Sequence, residues 1–290
     1  MIPFRPTPGP ARLGALGLSA AALIAGCAHT TNLLNPSTPR FSGGYATAVA
    51  DSAPAPIRIV TFNIKLARRI DRAIDVLQSD SLRGADILAL EEMDDVGVDR
   101  IARALRLNYV YYPSIIHPTD GRYFGPAILS RWPIERSWKL ILPHEGKIRH
   151  QRRTATAAVV RVRGQAVRVY AVHLETPFRV SDAAREDQVR MVLDDASAFR
   201  GPVVIAGDFN SYGVGPVLVR HGFRWLTDRL DPTISFFSWD HIFVRGLAPA
   251  RPASAGVVHQ VRGASDHRPV WAVVGPEARR GGGAAATAGR

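Results

Sequence analysis

Cysteine is almost absent from this 290-residue chain: Cys27 stands alone. One thiol cannot close a disulfide within the chain, and it excludes disulfide scaffolds and cysteine-rich zinc modules. Lysine is nearly as scarce. Lys65, Lys139 and Lys147 are the only three among 37 basic residues, so the formal charge of +12 is carried by arginine. Long apolar runs are missing too. The stretch "LGALGLSAAALIAG" is shorter than the roughly 20 residues a membrane-spanning helix needs. No internal repeat is visible, which leaves solenoids and propellers without support.

What remains has the composition of a globular chain. A hydrophobic fraction of 46% with 21% charged residues permits a substantial core, in one large domain or two small ones. The positive balance points to a polyanionic partner, nucleic acid or an acidic membrane surface. The plain alternative is arginine usage set by genome composition.

The N-terminus reads as a processing segment. Arg5 and Arg12 precede the short apolar run, as in a secretory leader. The tetrad Ile24-Ala25-Gly26-Cys27 resembles the lipobox of bacterial lipoproteins. The resemblance implies removal of residues 1–26, lipidation of Cys27 and export to the cell envelope. Ala28 after the cysteine, in place of Asp, leans to the outer membrane facing the periplasm. Residues 27–56 are rich in Thr, Ser, Gly, Pro and Asn without a period and read as a flexible tether. Residues 276–290 are low in complexity and are expected to be disordered. The folded domain is therefore placed at 57–275, as a monomer.

Inside it, "IRIVTFNI", "ADILALEEM", "GPAILSRWPI", "TATAAVVRV", "AVRVYAVHLE", "PVVIAGDFN", "FFSWDHIFV" and "DHRPVWAVV" read as strands. "RRIDRAIDVLQ", "VDRIARALRLN" and "SDAAREDQVRMVLDDASAF" read as helices. Many strands with few helices argue against a TIM barrel or a Rossmann fold and for two packed sheets with helices outside.

The strands share one habit: they stop at polar residues. Asn63, Glu92, His173, Asp208 with Asn210, Asp240, and Asp266 with His267 all sit at such ends. Alone, each is an ordinary strand end. In "VVIAGDFNSYG", Asp208 and Asn210 alternate, so both project to one side while Phe209 anchors in the core. If the strands lie side by side, these ends converge on one rim. That density of carboxylates needs a balancing cation. Oxygen ligands without cysteine favour a hard ion, Mg²⁺ or Mn²⁺.

The ordered motifs "TFNI", "DILALEEM", "GPAILSRWPI", "VYAVHLET", "VVIAGDFN", "WDHIFV" and "SDHRPV" resemble the endonuclease/exonuclease/phosphatase family, the DNase-I-like metal-dependent phosphoesterases, from about Ile57 to Val274. The resemblance implies an α+β fold, a four-layer αββα sandwich of two mainly antiparallel sheets with outer helices. It also implies roles. Glu92 would ligate the metal, helped by Asn63, with Asp266 on the metal side. Glu91, where a Gln is usual, would point away. His267 would be the catalytic histidine, oriented by Asp240. Asp208 would position and deprotonate water, Asn210 would bind phosphate, and His173 would bind phosphate or assist proton transfer. Arg153 sits where members place a phosphate-contacting arginine, with Arg152 an equal candidate. Two residues depart from the pattern: Lys65 stands where some members carry a carboxylate, and His241 where a Tyr or Arg often follows the catalytic Asp.

The expected activity is therefore an exported, metal-dependent phosphodiesterase. For the substrate, the net charge and the basic stretch "HEGKIRHQRR" favour nucleic acid and hence a nuclease. A phospholipid or sphingolipid head-group phosphodiesterase is the alternative, kept open by the aromatics of "RWLTDRLDPTISFFSW". A non-catalytic binding module on the same fold is disfavoured, because Glu92, Asp208 and His267 are all present.

Overall fold

The computed structural model describes residues 30–47, 56–252 and 254–277. Cys27, the leader before it and the tail after 277 lie outside the described residues. The strands are β1 (Thr31–Asn32), β2 (Phe41–Gly43), β3 (Ile57–Asn63), β4 (Ile87–Met93), β5 (Asn108–Tyr111), β6 (Ile115–Ile116), β7 (Tyr123–Ser130), β8 (Ile134–Glu145), β9 (Arg152–Val162), β10 (Gln165–His173), β11 (Val203–Asp208), β12 (Arg224–Trp225), β13 (Asp240–Arg245), β14 (Leu247–Pro249), β15 (Ala255–Val257) and β16 (Val270–Pro276). The helices are α1 (Ile70–Leu77), α2 (Asp95–Leu105), α3 (Asp182–Ser197) and α4 (Gly215–Arg220). None of them is long and apolar enough to cross a membrane.

Two sheets form. One runs β1-β6-β7-β4-β3-β16-β14, with β5, β2 and β15 attached at its sides; the other runs β12-β13-β11-β10-β9-β8. Alternation along the strands sorts their side chains into layers. Ile59, Ile87 and Ala89 of the first sheet meet Val169, Ala171, Val204 and Ala206 of the second in a core between the sheets. Val60, Phe62, Leu88 and Leu90 point outward onto Ala73, Val76, Val98 and Ile101 of α1 and α2. Tyr170, Val172, Val203 and Ile205 point outward onto Val189, Val192 and Leu193 of α3. Three stacked cores make the four-layer αββα sandwich, the architecture the motifs imply.

Most pairings are antiparallel, but β3–β4 and β10–β11 are parallel. Each parallel pair is joined through a helix, α1 or α3, as a crossover requires. Both pairs end on the same rim, where Asn63 registers with Glu91, and His173 with Asp208. Asp208 in turn registers with Asp240, the first residue of the antiparallel β13.

Two segments differ from the sequence reading. Residues 30–47, assigned to a flexible tether, are strapped to the domain. Thr31–Asn32 pairs with Ile115–Ile116, and Phe41–Gly43 with Tyr109–Tyr111. Phe41 packs on Tyr111 and Tyr123, and the buried Lys139 ammonium donates to Leu33 O at 2.6 Å and Thr38 O at 3.1 Å. Strands this short show no period, because the domain supplies their partners. The other segment is "FFSW": the strand begins only at Asp240, and Phe236–Trp239 belong to the preceding loop.

Candidate active site

The convergence at the rim depends on close strand approach. A Cβ on Gly207, whose φ is +153°, would lie 1.9 Å from Val172 O. Only glycine lets β11 pass β10 here and deliver Asp208 beside His173. On the first sheet, a register irregularity between Leu90 and Met93 parts the two glutamates. Glu92 takes φ +59°, which re-aims its side chain, as bulges do. Glu91 is fully buried under Thr61, whose hydroxyl donates to it at 3.1 Å. Glu92 faces a pocket of about 330 Å³ whose wall also includes Lys65, Arg153, His173, Asp208, Asn210, Asp266 and His267. Asn63 lies buried directly behind it.

Asp208 is the hub. Its Oδ2 accepts from Asn63 Nδ2 at 3.0 Å and lies 3.6 Å from His173 Nε2 and 3.7 Å from His267 Nε2; its Oδ1 accepts from the Asn210 N–H at 2.8 Å. His267 Nδ1 is 2.9 Å from Asp240 Oδ2. Asn63 Nδ2 also reaches Glu92 Oε1 at 3.3 Å, and the Leu66 N–H holds Glu92 Oε2 at 2.9 Å. One amide thus spans two carboxylates. The Asn210 amide gives one N–H to Leu174 O at 3.0 Å.

Charge is partitioned by burial. Burial would depress the His267 imidazole, but Asp240 and Asp208 outweigh it and raise its pKa. Burial raises the Asp208 carboxyl, with Asp240 adding to it against the pull of His267. Burial pushes His173 well below the ordinary histidine value, and the Arg153 and His267 charges push the same way. His173 is therefore neutral and can accept from Arg153 Nη1, 3.0 Å from its Nδ1. Burial also drives Glu91 well above the carboxylate range, assisted by Asp240 and Asp208.

Arg153, not Arg152, is on the pocket wall. It is buried and forks onto Glu175 through Nε at 3.3 Å and Nη2 at 3.4 Å. Burial alone would raise Glu175, yet the Arg153 charge and the Thr176 N–H bring it below the ordinary value. Arg152 instead pairs with Glu145 at 3.2 Å. Sequence reasoning passed over Glu175, although it stands two residues beyond His173. His241 is absent from the pocket. It points to the opposite face from its neighbour Asp240 and packs among Trp225, Phe209 and Phe243. Asp266 reaches the pocket, but its half-exposed carboxylate is engaged by Lys65 Nζ at 2.8 Å.

Among the described residues, Asp208, Asp240 and His267 form the group whose ligand atoms all lie within 4.8 Å of one another. His267 in that group is held through Nδ1 by Asp240, which raises its pKa. The oxygens of Glu92 and Asp208, tied together by Asn63, are the donors that suit a hard divalent ion. A carboxylate–histidine cluster beside carboxylate and amide groups, at one rim of an αββα sandwich, is suited to hold a hard divalent ion and to move protons.

The profile of the Endonuclease/Exonuclease/phosphatase family matches residues 60–267. The chain belongs to that family, whose members are phosphoesterases that generally use divalent metal ions. No curated protein sequence matches the chain. Solved structures with the same fold include an endonuclease/exonuclease/phosphatase from Beutenbergia cavernae (TM-score 0.62, 20% identity, covering 76% of this chain and 72% of that one). Danio rerio TDP2 complexed with a single-strand DNA product is similar over 76% of this chain and 99% of its own (TM-score 0.61, 19% identity). Sphingomyelinase C from Streptomyces griseocarneus matches over 77% and 100% (TM-score 0.56, 19% identity). At these identities the likeness is one of fold.

Proposed function

We propose that this protein is a divalent-metal-dependent phosphodiesterase of the bacterial cell envelope, anchored through Cys27. The observation that carries the activity is Asp208, buried on the pocket wall within 3.7 Å of two imidazoles and 3.0 Å of the Asn63 amide. Glu92, with Asn63 and Asp208 beside it, would hold a divalent ion, Mg²⁺ or Mn²⁺, which when bound would stabilise charge on the phosphoryl oxygens. The chain's own groups do the rest. Asp208 orients a water for in-line attack on phosphorus and takes its proton, a role its raised pKa suits. His267, kept protonated by Asp240, donates to the phosphoryl oxygen on which charge builds. Neutral His173 and the amide of Asn210 hold the diester, and Arg153 fixes the His173 ring and adds positive charge to that wall.

For the substrate, the charge of the anchored form, +12 less Arg5 and Arg12 of residues 1–26 and so +10, favours nucleic acid. The basic stretch between β8 and β9 supports this less than its sequence implied, because Arg152 is engaged by Glu145 and Arg153 by Glu175. Lipid head-group diesters are the reading we carry forward, on the apolar side chains that surround the pocket. A panel of sphingomyelin, phosphatidylglycerol, plasmid DNA and RNA tests it. Hydrolysis should stop with EDTA and return with Mg²⁺ or Mn²⁺. Glu92→Ala, Asp208→Ala and His267→Ala should each lower turnover by about a hundredfold or more. A fully active Asp208→Ala protein would put the chemistry elsewhere. Nicking of plasmid with no lipid turnover would restore the nuclease reading.

A further inference from the structure

The two most exposed phenylalanines among the described residues are Phe178 at 96% and Phe236 at 77%. Both belong to loops that also wall the pocket. Phe178 lies between the lining residues Thr176 and Arg179; Phe236 and Phe237 lie between the lining residues Ile234 and Trp239. A third loop, 146–151, carries the exposed Ile148, places Gln151 on the wall, and bonds to the Phe178 loop through Lys147 N–H to Arg179 O at 2.9 Å. One exposed ring on a surface is unremarkable; exposed apolar tips on three loops that all wall one pocket are not scattered at random. Phe236 touches Phe237, and Phe237 stacks on Trp239, with ring centroids 4.2 and 4.7 Å apart, so this loop tip is a packed ledge. Exposed Lys147 and Arg149 flank Ile148. Rings at the tips with cations alongside match a bilayer interface, apolar groups entering the acyl boundary and cations meeting phosphates.

The course of the chain gives an independent bearing. The strap enters the domain at this same loop: Thr30 N–H donates to Arg149 O at 3.0 Å, Asn32 Nδ2 donates to His150 O at 2.8 Å, and Asn32 Oδ1 accepts from Arg152 N–H at 2.7 Å. Cys27 precedes Thr30 by three residues, a reach of at most about 10 Å when extended.

We propose that the loops bearing Ile148, Phe178 and Phe236–Phe237 form a docking face for an anionic phospholipid bilayer, which seats the pocket mouth directly on the membrane. That the docked site then cleaves head-group diesters rests on the phosphodiesterase reading above; the docking itself does not.

The test uses the full chain with Cys27→Ser and one reporter cysteine carrying a polarity-sensitive fluorophore, at Phe178→Cys, Phe236→Cys or Arg83→Cys. Arg83 precedes β4, at the end of that strand away from the pocket and about 20 Å from it by strand rise. Vesicles of phosphatidylglycerol and phosphatidylcholine should blue-shift the reporters at 178 and 236 and leave the one at 83 unchanged. Phe178→Ser with Phe236→Ser should weaken vesicle partition by about tenfold per ring, with turnover of the soluble diester bis(4-nitrophenyl) phosphate unaltered. Equal shifts at 83 and 178, or unchanged partition in the double variant, overturn the proposal. So does a response to plasmid DNA without one to vesicles, which would give the face to nucleic acid. If the vesicle shifts hold while no phosphodiester is cleaved, the docking face stands and the catalytic reading falls.

Discussion

Glu91 and Glu92 are neighbours in sequence with opposite surroundings. Glu92 faces the pocket and meets amide donors from Asn63 and Leu66. Glu91 has only the Thr61 hydroxyl, its Oε2 is without a partner, and burial raises its pKa well above the ordinary value. A buried neutral carboxyl has the shape of a glutamine amide, so Gln is the substitution that keeps the packing and removes the ionisable proton. The sign follows from linkage. The folded pKa lies above the unfolded one, so the unfolded chain gives up its proton first as pH rises. Stability is full below the ordinary glutamate value and declines above it. Glu91→Gln should therefore raise the melting temperature at pH 8 and change it little at pH 4. An equal gain at both pH values would mean that Glu91 is not protonated in the fold. The strand-end residues themselves were legible because alternation and a run of apolar neighbours fix which way they point. Glu175 was passed over because its signal, a position two beyond His173, emerges only once Arg153 is seen to be buried against both.

At the scale of elements, alternation announced β3 and short apolar runs announced β4 and β11, β10 being read as a strand beside them, and the ends of those strands carry most of the site. The strap was illegible for a physical reason: a two-residue and a three-residue strand have no period of their own, and their hydrogen bonds come from β6 and β5. Lys139 holds the connection between them. Lys139→Met would leave the carbonyls of Leu33 and Thr38 without their ammonium, at a cost of about 1–3 kcal/mol. Limited proteolysis should then cut within residues 33–40 faster than in the unaltered protein, and equal cleavage rates would show that the strap is held by its strand pairing alone. Gly207 marks the opposite case, in which one residue governs a whole element. A methyl group there meets the Val172 carbonyl, and Gly207→Ala should force β11 off β10 and remove folded protein from the soluble fraction. A soluble alanine variant with unchanged melting would mean that the pairing tolerates more separation than the register implies.

Over the whole molecule, the sign of the charge was readable and its placement was not. Several arginines are engaged on the surface or beneath it: Arg161 by Glu135, Arg122 by Asp94, Arg131 by Asp86, Arg153 by Glu175. Surface pairs of this kind add little stability, and because their acids are already subtracted in the net +12 they decide where the excess charge sits, not its sum. The aromatics of "FFSW" were visible in the sequence, but their place in a loop at the pocket was not, because the stretch reads as the start of a strand until β13 is seen to begin at Asp240. These two facts separate the substrate classes by their response to salt. Binding to a nucleic acid rests on phosphate neutralisation and should fall by orders of magnitude between about 0.05 M and about 0.5 M salt. Binding to a bilayer through Phe178 and Phe236 has an apolar component that salt does not screen. The Cys27→Ser chain should accordingly lose only the electrostatic part of its affinity for phosphatidylglycerol-containing vesicles over that range, and the Phe178→Ser, Phe236→Ser variant should lose nearly all of it. Titrating both proteins with vesicles at the two salt concentrations provides the check. If the unaltered rings give no salt-resistant binding, charge alone draws this protein to its partner, and nucleic acid again becomes the stronger candidate.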